Sequence, residues 1–326
     1  MRWIAPLAAL VASLAVACSS STAPPPTNPL DDRGVATAGS EGAVDPFLAA
    51  YPQYTDEATG IRTVLGTPDL GVGRHRVAFA LSDENGLVRL PIVRVASYFR
   101  PDGDEGVREG PVEEARAIFY EFPFGVRGIF STELSFDRAG TWELDVLLPQ
   151  PDGTAATVAF AFPVAEQTLA PAVGDPAPRT ESRTQADVVT LAELTTGHEP
   201  DPALYQRSIA ASLAADRPLV VVFASPAFCT NALCGPQVEV VVELALLYGD
   251  RVDFTHIDLY ENPHEIKGDL DNAVRTPILE QWGIESDEWT FIVGADGLVA
   301  ARFEAFVTRG ELERALVAVL DGTSRD

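Results

Sequence analysis

Residues 219–236, LVVVFASPAFCTNALCGP, restrict the local fold more than any other part of this chain. The run 219–224 is apolar and rich in valine, which reads as a buried strand. A loop with Cys229 and Cys234 follows, and Gly235-Pro236 opens the next element. On a continuous helix, residues five apart stand about 140° apart around the axis and ~7.5 Å along it. That exceeds the ~7 Å Cα separation that a disulfide tolerates, so a helix starting at Cys229 and a Cys229–Cys234 disulfide exclude each other. Proline is accepted only in the first turn of a helix. Pro236 therefore puts the helix start near Cys234, with 225–233 as loop, and in that geometry the disulfide is feasible.

Elements alternate around this stretch. Strand 219–224 precedes a helix over 235–248, a strand over 252–259 and a helix over 271–282. Strands over 289–294 and 298–306 and a helix over 309–320 complete the series, with Thr308 and Glu311 spaced as a capping box. Upstream, Leu204, Ile209 and Leu213 give 201–216 a loose helical face. The order β-α-β-α-β-β-α, the segment VGDPAP at 173–178 and the run WTFIVGADGLVAARFEAF at 289–306 resemble thioredoxin-like and redoxin proteins. The resemblance covers a little under half of the chain. It implies an α/β thioredoxin-like C-terminal domain over 187–322, with the cysteine loop at its active site.

The segment 46–166 has a different pattern. Short runs rich in Val, Phe, Tyr and Ile, over 74–81, 88–97, 114–121, 127–136, 141–148 and 155–164, are separated by turn signals such as Asn85-Gly86, Asp102-Gly103 and Asp152-Gly153. The spacing predicts an all-β sandwich of immunoglobulin-like type. FSTELSFDRAGTWELDV, at 130–146, resembles paired strands of small exported sandwich domains in bacterial redox and metal-handling proteins. Trp142 is expected in its core and His75 in solvent. A proline-rich connector, 167–186, is the expected domain boundary.

The first residues read as an export signal over 1–17. Arg2 precedes an apolar run, 4–16, too short to span a membrane. Small residues lead into Cys18, and LAVAC resembles a bacterial lipobox, with Ala15 where leucine is usual. The resemblance implies that Cys18 is lipidated and holds the protein at the bacterial cell envelope, its domains extracytoplasmic. The stretch 18–45, rich in Pro, Ser, Thr and Gly, reads as a flexible tether. An exported location permits disulfides. The formal charge of −25 excludes nucleic acid as a partner and leaves the lipid as the link to a membrane.

Two thiols beside a helix start suit thiol–disulfide exchange, because unpaired helix N–H groups favour a thiolate. Cys229, in the loop, is expected to attack a protein thiol or disulfide partner, and Cys234 to resolve. Pro226 and Phe228 are expected to wall the thiol, with Trp289 and Thr290 along the same edge. No cofactor is expected. Three other readings use the same residues. CTxxxCG also resembles two-cysteine peroxiredoxins of the bacterioferritin-comigratory type, with Pro226 where their pattern has threonine. Sco-type copper-assembly proteins combine two cysteines with a histidine, for which His256 and His264 are the candidates. The last reading is a binding domain with a static disulfide; so short a bridge removes little chain entropy, which makes stapling a weak motive.

Overall fold

The computed structural model describes Met1 and residues 51–101, 107–123, 127–150, 153–229 and 233–322. Apart from Met1, the expected signal segment, Cys18 and the tether lie outside the described residues. Among the described residues no helix is long and apolar enough to cross a membrane.

The first half of the described chain forms one large sheet from β1 (Gln53–Thr55), β2 (Arg62–Leu65), β3 (Gly73–Asp83), β4 (Gly86–Leu87), β5 (Ile92–Arg100), β6 (Glu109–Glu121), β7 (Gly128–Phe136), β8 (Gly140–Pro149) and β9 (Ala155–Val164). The spatial order is β1-β2-β3-β7-β6-β5-β8-β9, with β4 attached to β3. Neighbouring strands are antiparallel throughout. The sheet nearly closes on itself. Val72 N–H donates to Ala165 O and Ala165 N–H to Leu70 O, each at 3.0 Å, and Ala159 N–H donates to the Asp56 carboxylate at 3.3 Å.

Successive strand residues point to opposite faces, so alternate residues fill the interior. Val77, Phe79 and Leu81 of β3, Phe130, Leu134 and Phe136 of β7, Trp142, Leu144 and Val146 of β8, and Phe160 and Phe162 of β9 pack there as one core. Trp142 is fully buried, as expected, and its Nε1–H donates to Arg138 O at 3.0 Å. His75, expected in solvent, is instead buried and stacks on Phe136, and burial holds its pKa below the ordinary value.

The second half carries a four-stranded sheet of β10 (Leu219–Phe223), β11 (Asp253–Ile257), β12 (Trp289–Val293) and β13 (Val299–Glu304), in the order β11-β10-β12-β13. β10 and β11 run parallel, and the other pairs are antiparallel. Its helices are α1 (Ile209–Ala214), α2 (Cys234–Tyr248), α3 (Pro263–Ile266), α4 (Ile278–Gln281) and α5 (Arg309–Leu320). Every residue of β10 is buried. Val221 and Phe223 pack with Trp282 and Phe291 on one face, and Val220 and Val222 with Val241, Leu244, Leu312 and Leu316 on the other.

The expected fold class, an α/β thioredoxin-like domain behind an immunoglobulin-like sandwich, is corrected by this architecture. The chain is mostly β: a nearly closed antiparallel sheet plus a small sheet, with few helices. Among the described residues only α2 and α5 exceed six residues. The helix expected over 271–282 is a 3₁₀ turn, Leu270–Asn272, followed by the four residues of α4. Pro277 lies inside that span, lacks an N–H and cannot sit in a helix interior. The one over 201–216 is a 3₁₀ turn, Pro202–Tyr205, and the short α1. One closing sheet stands where a two-sheet sandwich was expected; both architectures bury every second strand residue, so their sequence patterns coincide and do not separate them.

Arginines fasten the small sheet to the large one. Arg302 of β13 pairs with Asp69 at 2.7 Å and donates to the Asp69 and Ala170 carbonyls, both at 3.0 Å. Arg76 of β3 donates to Glu304 O and Phe306 O at 3.0 and 2.9 Å and faces Glu311. Phe122, Ile129, Phe306 and Leu233 form an apolar cluster across the seam, and Leu233 immediately precedes α2.

Candidate functional site

Strand register brings four chain segments to one end of the small sheet. Phe223, the last residue of β10, lies opposite Ile257 of β11 and Trp289 of β12, and Trp289 lies opposite Glu304 of β13. Residues just beyond these, namely 224–229, 258–260, 287–288 and 305–306, therefore leave the sheet together. Cys229 and Cys234 are joined there in a disulfide with a Cα separation of 5.9 Å. α2 begins at Cys234, so the bonded pair satisfies the disulfide limit by keeping Cys229 outside the helix. The two sulfurs differ in access: Cys234 is fully buried, whereas Cys229 is half-buried and packs against the core under α2.

A buried polar network fixes the loop before the disulfide. Thr196 donates through its N–H and its hydroxyl to the Asp258 carboxylate, at 2.7 and 2.8 Å. The same hydroxyl lies 3.0 Å from Ser225 Oγ and accepts from Ala227 N–H at 3.2 Å. Tyr260 N–H adds a third donor to Asp258 at 3.2 Å. Burial raises the Asp258 pKa, against the pull of His256 and of these donors. Substituting Thr196→Val removes the link between Asp258 and the loop and leaves a buried carboxylate one donor short. A stability loss of about 1–3 kcal/mol is expected in urea unfolding. An unchanged midpoint would show that the hydroxyl does not hold the loop.

His256, one of the two histidines considered as metal ligands, belongs to this scaffold. It is buried, with Nε2 2.8 Å from Ala224 O and Nδ1 2.7 Å from the Tyr205 hydroxyl. A carbonyl only accepts, so Nε2 carries the proton and the neutral ring accepts the Tyr205 O–H at Nδ1. Burial lowers the His256 pKa, which favours that neutral ring. Both nitrogens are thus committed to the fold. His264 is exposed in α3, 3.9 Å from Glu265.

The four expected contact residues separate into two pairs. Pro226 and Phe228 are half-buried beside the disulfide, and Phe228 stands edge-on to Tyr260 with ring centroids 6.3 Å apart. Trp289 and Thr290 are 1% exposed and present no surface to a partner. Trp289 stacks on Phe291, donates to Ser286 Oγ at 2.8 Å and lies under the Arg302 guanidinium. They are corrected from substrate contacts to core, because β12 is an interior strand of the small sheet and buried over its whole length.

One site residue escaped sequence reasoning. Glu288, fully buried just before β12, places a carboxylate oxygen within 4.8 Å of both cysteine sulfurs. Its backbone carbonyl accepts Ala305 N–H at 3.0 Å, and the neighbouring Asp287 carbonyl lies 3.5 Å from Cys234 Sγ. The only signal in the sequence is a carboxylate heading the apolar run 289–293. A cleft of about 1460 Å³ lies on the seam between the two sheets and contains neither cysteine. Several of its charges are already paired with one another, including Arg302–Asp69 and Arg76–Glu311. No protein-family model matches this chain, and no curated protein matches it in sequence.

Proposed function

We propose that the chain is an extracytoplasmic thiol–disulfide oxidoreductase acting on protein thiols or disulfides through Cys229 and Cys234, held at the bacterial envelope by a lipid on Cys18. The observation that carries this reading is the asymmetry of the bonded pair. One sulfur is within reach of a partner, and the other is enclosed at the start of a 15-residue helix. A partner thiolate attacks Cys229 Sγ, the Cys229–Cys234 bond breaks, and its electron pair leaves on Cys234. The first-turn N–H groups of α2 favour that negative charge. A second partner thiolate then attacks the partner sulfur of the mixed disulfide and releases Cys229 as thiolate; the net result is a reduced pair and an oxidised partner. The same steps in reverse reduce a partner disulfide. Pro226, Phe228 and Tyr260 give the incoming chain apolar contacts beside the half-buried Cys229.

The reduction potential of the pair tests the reading. Equilibrated with thiol buffers of graded potential and assayed for free thiols, a working couple titrates above about −300 mV. A lower value would mark a static staple.

A further inference from the structure

Among the described residues, Cys229, Cys234 and Glu288 are the one group of three potential ligands whose donor atoms all lie within 4.8 Å of one another. Two of the three, Cys234 and Glu288, are fully buried, and Cys229 is half-buried. They come from different elements that strand register brings to one end of the sheet: the loop after β10, the first turn of α2 and the residue before β12.

We propose that the reduced pair and Glu288 form a binding site for a borderline-soft divalent cation such as zinc, with two thiolates and one carboxylate as donors. The donor set argues for this class. Thiolates select zinc, Cu(I) and related ions, and Cu(I) has little use for a carboxylate, whereas zinc accepts sulfur and oxygen together. On a tetrahedral ion two sulfurs stand about 3.8 Å apart, given Zn–S bonds of about 2.3 Å. The Cα separation of 5.9 Å requires only that the bonded sulfurs part by side-chain rotation. Three protein ligands leave the fourth position open on the Cys229 side, where water or a partner thiolate can enter. Binding releases the two thiol protons to solvent. Metal and disulfide exclude each other, because sulfurs bonded to one another are not thiolates. The ion would thus protect the reduced state, and oxidation would expel it. The proposal rests on the exchange reading only in requiring that the pair can open.

The test uses the full chain, reduced, freed of reductant under argon and titrated with Zn²⁺ against a chromophoric chelator, with free thiols counted in the same sample. One zinc per reduced chain and none per oxidised chain is expected. Co²⁺ added instead should give thiolate-to-metal charge-transfer absorption. Glu288→Gln should weaken zinc binding by at least the ~10–100-fold that loss of an outer-shell partner costs, and Glu288→Asp should retain part of the affinity. Circular dichroism of the oxidised variants checks that they fold. A chain with two counted thiols that takes up no zinc would overturn the site, as would a Glu288→Gln variant that binds as tightly as the parent. If native reductants do not open the pair, the exchange reading fails. The chain unfolded, reduced and refolded without oxidant then carries the same titration, so the two failures remain distinct.

Discussion

Replacing Cys229 by serine is expected to abolish the proposed thiol–disulfide exchange, and replacing Cys234 by serine to leave a chain that captures partners without releasing them. The difference follows from access. Cys229 is half-buried in the loop and Cys234 fully enclosed. Without Cys229 the remaining sulfur of the pair is enclosed, and turnover is expected to fall to background. Without Cys234 the Cys229 thiol still attacks a partner disulfide, but no second thiol displaces the partner, so a mixed disulfide accumulates. The species is read as a reductant-sensitive adduct on non-reducing gels. Equal trapping by both variants would show that the enclosed sulfur is reachable and would reverse the assigned roles. Each variant also loses the cross-link. A bridge closing so short a loop contributes about 2 kcal/mol in the chain-entropy picture, which unfolding of the parent with and without reductant measures independently.

Glu304 gives the second large effect, on stability against pH. Its side chain is buried at the seam, where Oε1 accepts the Ser286 hydroxyl at 2.7 Å and Oε2 accepts Asp69 N–H at 3.0 Å. Burial pushes its pKa up from 4.5 to about 7, and the Asp69 charge adds to the rise; the two donors and Arg302 only partly oppose it. The folded chain therefore holds this proton more tightly than the unfolded chain does. Stability is greatest at or below the unfolded value and falls as pH rises from 4.5 to about 7, where the loss levels off. The displacement corresponds to roughly 3 kcal/mol at pH 8. Glu304→Gln keeps the shape without a titrating group, so the difference in unfolding free energy between variant and parent should grow in the variant's favour from pH 5 to pH 8. Parallel stability curves would show that Glu304 ionises freely in the folded protein.

The core of the large sheet was legible because period-two alternation is local. Phe130, Leu134 and Phe136 can be assigned to one face, and Trp142, Leu144 and Val146 to another such face, from spacing alone. The strand partners were not legible, since alternation is the same in a two-sheet sandwich and in a sheet that closes on itself. The helix expected over 271–282 failed for a reason present in the sequence, Pro277, which outweighed the apolar spacing around it. Trp289 and Thr290 were placed at the right end of the right strand. Their burial depended on what packs on the sheet faces, for Trp289 a core that includes Phe223, Trp282 and Phe291, which no local pattern states. His256 offered the chemistry of a ligand, and only its neighbours, Tyr205 and the Ala224 carbonyl, show that the fold uses both nitrogens.

The sequence by itself placed a helix start near Cys234, with Cys229 in the loop before it. The limits on proline in helices and on disulfide span act within a few residues and need no partner from elsewhere in the chain. Only the tertiary structure decided what surrounds the sulfurs. Register between β10 and β12 brings Glu288, more than fifty residues distant, within 4.8 Å of both, and the seam encloses Glu304 beside Asp69. Such contacts arise from burial shared by remote segments. Their chemistry, a carboxylate beside a dithiol and another deprived of water, has no signature in the spacing of either segment alone.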